Sequence, residues 1–189
     1  MFRNVSVAVA GSRSLSSSQS LLVGRLVSGL VKQGCFISVG CATGADEAAI
    51  KSLSPRQGQV FSAFGQGGQG ACRWSAVSSV SQFSAKGGQV VWYSGGPLSR
   101  PLVARLSART RAVAGAATAL VAFLGSPASR GTRLACRVAV SRGMPVVVFP
   151  LGFPGAALPS VGAGRWLPLH GKGLWSGAWS WEESQEVLL

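Results

Sequence analysis

The stretch from Ala119 to Pro150 reads ALVAFLGSPASRGTRLACRVAVSRGMPVVVFP. Ala119–Leu124 is an apolar run of strand length. Gly125–Thr132 is a loop without an acid, carrying hydroxyls, glycines and Arg130, groups suited to holding an anion. From Thr132 to Ser141 apolar residues recur at helical spacing, and Gly143 and Pro145 stop the pattern. Val146–Phe149 is a second apolar run. Strand, loop, helix and strand make a βαβ unit, which implies a parallel sheet with its ligand site at the carboxyl ends of the strands.

Upstream, the scheme repeats. Val5–Ala10 is a β-branched run ending in Gly11-Ser12-Arg13, and Leu21, Leu22, Leu26, Leu30 and Val31 follow at helical spacing until Gly34. Phe36–Val39 predicts the second strand, with Asp46 and Glu47 opening the next helix, where carboxylates favour the positive end of the dipole. Val60–Ala63 and Val90–Tyr93 predict two more strands, the latter ending in Ser94-Gly95-Gly96-Pro97. Between them Phe64–Gly88 is rich in Gly, Gln and Ser and predicts at most a weak helix. Pro101 suits the first turn of a helix whose inner side is marked by Leu102, Leu106 and Val113, with Arg105 and Arg109 on another side. The fold class expected is α/β, a Rossmann-like parallel sheet flanked by helices, over residues 1–150. Residues 151–189 form a carboxyl-terminal arm rich in Pro, Gly and Trp, carrying Trp166, Trp175, Trp179 and Trp181. Exposed Trp clusters are costly, so the expectation is an arm that packs on the sheet or a partner rather than an open binding arm.

Charge is the unusual quantity. Eighteen Lys and Arg stand against five acids, a net charge of +13 among 189 residues, and no acid occurs from residue 48 to residue 181. Such a chain attracts polyanions, of which nucleic acid is the commonest. Arg105, Arg109 and Arg111 on one helix, with Arg130, Arg133 and Arg137 at three- and four-residue intervals on the next, predict a basic face for phosphates; Leu134 and Val138 would then face the sheet. Cys35, Cys41, Cys72 and Cys136 are scattered, without metal or disulfide spacing, and predict reduced thiols in a cytoplasmic protein. The uncharged runs Ala112–Ser129 and Gly143–Gly164 are interrupted by prolines, against a membrane span. The sole histidine, His170, has no acid nearby in sequence to orient it, and no Ser or metal arrangement offers catalysis.

Three loops thus follow predicted strands: Gly11-Ser12-Arg13, Gly40-Cys41-Ala42-Thr43-Gly44-Ala45-Asp46 and Ser129-Arg130-Gly131-Thr132. In order and spacing, over residues 5–150, they resemble the SLOG superfamily of Rossmann-like domains, nearest its YspA-like and DNA-processing protein A branches. The resemblance implies a nucleotide-type ligand at the strand ends. Its DNA-processing branch implies single-stranded DNA binding. Its cytokinin-activating (lonely guy) branch implies hydrolysis of the N-glycosidic bond of a nucleoside monophosphate. Those hydrolases carry P-G-G-x-G-T-x-x-E; here Pro127 to Ala135 keep Gly131 and Thr132 but place Ala135 at the glutamate, which removes the acting carboxylate. Asp46 remains as a ribose-hydroxyl acceptor, more remotely a base, or a helix cap.

The favoured reading is a non-catalytic nucleotide- or nucleic-acid-binding protein, acting on DNA or RNA, with no catalytic residue and no metal. Its phosphate-binding candidates are Gly11, Ser12, Arg13, Gly40, Thr43, Gly44, Asp46, Ser94, Gly95, Gly96, Ser129, Arg130, Gly131 and Thr132. A bound nucleotide is the candidate cofactor, and a homo-oligomer the expected assembly. The alternatives are a nucleotide-processing hydrolase and an interaction protein within a ribonucleoprotein.

Overall fold

A computed structural model describes residues 2–71 and 73–184. Cys72 and Glu186 lie outside the described residues. The parallel strands are β1 (Ser6–Gly11), β2 (Phe36–Val39), β3 (Gly58–Phe61), β4 (Gln89–Val91), β5 (Ala119–Leu124) and β6 (Val146–Pro150). Between them run α1 (Ser17–Lys32), α2 (Ala45–Lys51), α3 (Trp74–Ala85), α4 (Leu102–Gly115) and α5 (Arg130–Val140). Beyond Pro150 the chain adds β7 (Gly164–Pro168) and β8 (Trp179–Glu183). All join one sheet in the order β4-β3-β2-β1-β5-β6-β8-β7, in which β8 is antiparallel to both β6 and β7. The fold is α/β and Rossmann-like.

Helices cover both faces of a parallel sheet, so its central strands must be apolar on both sides. Every residue of β5 is buried. Ala119, Val121 and Phe123 pack with Val23, Leu26 and Leu30 of α1, and Phe123 stacks on Phe149 at 5.3 Å between ring centres. Leu120, Ala122 and Leu124 enter the opposite core with Ala135 and Ala139 of α5. The period of two along one strand therefore feeds two separate cores. Helix α1 starts with a capping box, in which the Ser16 hydroxyl accepts from the Gln19 amide at 3.2 Å and the Gln19 side chain accepts from the Ser16 amide at 2.9 Å.

Three local expectations change. Phe64–Gly88 holds a firm helix of 12 residues, α3, whose Ala76, Val77, Val80 and Phe83 recur on one buried side; the polar composition had hidden that stripe. In α4 the inner residues are Arg105, Arg109 and Val113, while Leu102 is 38% exposed. In α5 the buried residues are Thr132, Ala135, Cys136, Ala139 and Val140, with Leu134 and Val138 only half-buried; small side chains let this helix lie close to α4 and the sheet.

The arm continues the sheet. Val147 and Val148 of β6 pair with Ser180 and Trp179 of β8. Trp175 packs tilted on Phe149 and edge-on to Phe2, with ring centres 5.9 and 6.1 Å away. Trp166 and Trp181 meet edge to face at 5.0 Å. All four tryptophans of the arm are half-buried.

Candidate functional site

Strand β1 is where the order of the sheet reverses: the chain builds outward through β2, β3 and β4, then crosses to β5 on the other side of β1. The loops after β1 and β5 must diverge there, leaving a crevice at the carboxyl ends of the strands. A cleft of about 360 Å³ occupies that position. One wall is Gly11, Ser12 and Arg13; the other is Ser129, Arg130, Gly131 and Thr132, and Asp46 and Arg109 reach in as well. Two loops more than a hundred residues apart in sequence are thus brought together.

The donors are unequal. Ser12 lines the cleft, but its amide donates to the Phe123 carbonyl at 2.8 Å and its hydroxyl to the Ser14 carbonyl at 3.1 Å. Both groups are engaged in holding the turn. Arg13 and Arg130 are exposed cations. The amides of Arg130, Gly131 and Thr132 open α5 and have no carbonyl of their own helix to donate to. Ser129 supplies no side-chain cap, so the positive end of an 11-residue helix faces the cleft.

A crevice of this kind accommodates many ligands. The family model for DNA recombination-mediator protein A matches residues 1–160. The chain belongs to that family. Among solved structures it is similar to DNA processing protein A from Helicobacter pylori, with a TM-score of 0.65 and 19% identity over 78% of this chain and 66% of that one. It is also similar to DNA processing protein A from Streptococcus pneumoniae, with a TM-score of 0.60 and 24% identity over 81% of this chain and 52% of that one. The chain therefore spans about two thirds of the first protein and about half of the second. At these identities the likeness is one of fold. No curated protein matches the chain.

Within this recombination-mediator fold, the acid and the inner arginines have roles that differ from the sequence reading. Asp46 is 4% exposed, and its Oδ2 accepts from Arg109 Nη1 at 3.0 Å and from the Ala42 amide at 3.0 Å. Burial pushes the Asp46 carboxyl above the usual range, while Arg109 and the Ala42 amide pull it back. A side chain at Gly40 would collide with the Arg109 guanidinium and the Asp46 carboxylate, so glycine there makes room for the pair. Arg109 is 7% exposed and Arg105 is 6% exposed, so neither belongs to a surface basic face. Arg105 donates to the carbonyls of Ala63 at 2.7 Å and Gly70 at 3.2 Å, tying down the segment after β3.

The other candidates divide between bracing and distance. Thr43 and Gly44 do not line the cleft but brace its first wall. The Thr43 hydroxyl donates to the Arg13 carbonyl at 3.1 Å and the Ala45 amide to the Ser12 carbonyl at 3.0 Å. Gly44 has a φ of +74°, and a Cβ on it would strike the Ser12 and Arg13 backbone. Ser94, Gly95 and Gly96 are not part of the cleft: Ser94 Oγ donates to the Ser62 carbonyl at 3.0 Å, and Gly95 lies against the Arg105 backbone. Arg111 and Arg137 are exposed outside it, and Arg133 is half-buried, its Nε without a hydrogen bond among the described residues. Ala135, at the position of the hydrolases' glutamate, lines the cleft wall. Thr110 and Ala42 also line it; neither carries a sequence signal beyond proximity to Arg109 and Asp46.

Proposed function

We propose that this chain binds single-stranded DNA by its backbone, seating a phosphate in the cleft between Arg13 and the amino-terminal end of α5. The observation that carries the reading is the charge balance there. Two exposed arginines and the three first amides of α5, for which no partner occurs among the described residues, converge on a cleft whose acid, Asp46, is already neutralised by Arg109. A phosphate diester meets donors without meeting an uncompensated carboxylate. The DNA class is supported by the Helicobacter pylori relative, whose structure is described for its single-stranded DNA binding mode. Catalysis is not part of this function, because Ala135 presents a methyl group where a hydrolase needs its carboxylate and Asp46 is bound to two donors.

The test is retention of a labelled oligodeoxythymidine by the intact chain and by two variants. Arg13→Ala with Arg130→Ala should weaken binding at least about tenfold, since a hydrogen bond to a charged group contributes about 1.5–3 kcal/mol. Gly131→Val should weaken it too, by crowding the phosphate: Gly131 is exposed and a Cβ on it meets nothing within 4 Å, so the fold tolerates the change. Unchanged binding in both variants would refute the assignment of the cleft. Incubation with nucleoside monophosphates should release no free base; release that disappears in Asp46→Asn would make the chain a hydrolase.

A further inference from the structure

Beside the cleft lies a second, smaller hollow of about 50 Å³, and Arg13 and Ala42 line both. Its other walls are mostly apolar, including Phe64, Ala76 and Leu102, with Arg73 at the rim. From that rim the surface runs on through residues adjoining Arg73 and Leu102 in the chain. These are Trp74, 77% exposed, and Val103, 76% exposed. The Cζ3–Cη2 edge of the Trp74 ring lies against Gly68, where a Cβ would come within 3.2 Å of it, so the exposed ring is held at that edge. A tryptophan this exposed is unusual in a chain that half-buries all four tryptophans of its arm. The charged residues lining the hollow, Arg13 and Arg73, are both exposed cations; Glu47, which accepts from Ser79 of α3 at 3.3 Å, is already paired with Lys51 at 2.7 Å.

Aromatic and cationic groups without carboxylates are what a single strand uses, because its bases need ring faces and its backbone needs cations. Among the residues that line the hollow, a protein partner carrying its own lysines or arginines would find no counter-charge. The surface is also continuous with the cleft through Arg13, so a strand leaving the phosphate site in this direction meets Trp74 next.

We propose that Trp74 is a base-stacking position for a nucleotide further along the strand whose phosphate sits in the cleft, with Arg73 holding the intervening backbone. This rests on the reading of the cleft as a strand-binding site. The base lies on the indole.

The experiment compares a twelve-nucleotide oligodeoxythymidine with an abasic strand of equal length at several salt concentrations. The intact chain should bind the base-bearing strand about tenfold more tightly. Trp74→Ala should abolish that preference and leave the salt slope unchanged, because it removes no cation, and Trp74→Phe should keep most of the preference. The Arg13→Ala, Arg130→Ala variant should lose affinity for both strands equally. If Trp74→Ala binds like the intact chain while the arginine variant does not, stacking is refuted and the cleft assignment stands. If the intact chain retains neither strand, both readings fall. If Trp74→Ala changes only the mass measured by light scattering, the patch is a contact between copies and the stacking proposal is overturned.

Discussion

Asp46 and Arg109 are the residues on which the centre of the molecule turns, and their pairing could not be read from local sequence. Sixty-three positions separate them. On α4 alone, Arg105 and Arg109 looked like the polar side of an amphipathic helix, because leucines occupied another side. In the structure Val113 and Leu106 do face inward, but Arg105 and Arg109 join them, since carbonyls at Ala63 and Gly70 and the carboxylate of Asp46 await these guanidinia in the interior. A buried ion pair contributes little net stability, but removing one partner leaves the other charge stranded. Asp46→Ala should therefore lower unfolding free energy by about 3–5 kcal/mol in urea titration. Asp46→Leu with Arg109→Met should cost much less; equal losses in both would mean that the pair does not act as a unit. Cys136 offers a pH-dependent counterpart. Burial pushes its thiol up to about 12 from 9.0, so the folded protein holds this proton where the unfolded chain has lost it. Between those values stability should fall with rising pH by up to about 1.4 kcal/mol per unit. Cys136→Ala should flatten that fall, and a slope identical in the variant would contradict the assignment.

Among the elements, the strands were the most legible. Ala119–Leu124 falls where its apolar run put it, because a strand buried on both faces announces itself as an unbroken run, and Phe36–Val39 is placed as read despite its buried Ser38. Helix α3 was obscured by polar residues flanking a narrow buried stripe. The placement of the arm was not legible either: β8 pairs with β6 across the intervening β7, a non-local choice that composition cannot express. Its tryptophans do show why it stays. Trp175 covers Phe149 and Phe2, and rings of this kind bury on the order of 150–250 Å² each. Ending the chain after Gly152 should uncover the β6 edge and lower the melting temperature or cause aggregation. A shortened chain that melts at the original temperature and remains monodisperse would show that β7 and β8 add nothing to stability.

At the scale of the whole molecule, topology and charge act together. The reversal at β1 creates the cleft, and the loops that line it were visible in the sequence as Gly11-Ser12-Arg13 and Ser129-Arg130-Gly131-Thr132. Which of their groups remain available was not visible, because Ser12 is engaged by Phe123 and Ser14 only in the folded chain. A net charge of +13 favours polyanions at the surface at large, whereas the site we propose in the cleft takes one particular phosphate. The measurement that tests this account most directly is the salt dependence of oligodeoxythymidine affinity. Each phosphate neutralised on a single strand adds about −0.7 to the slope of log K against log salt. The intact chain should give a linear slope of about −2 or steeper, and Arg13→Ala with Arg130→Ala, which frees the one phosphate in the cleft, should make it shallower by about 0.7. A slope near zero, or one that the double variant leaves untouched, would contradict the claim that this cleft holds the backbone of DNA.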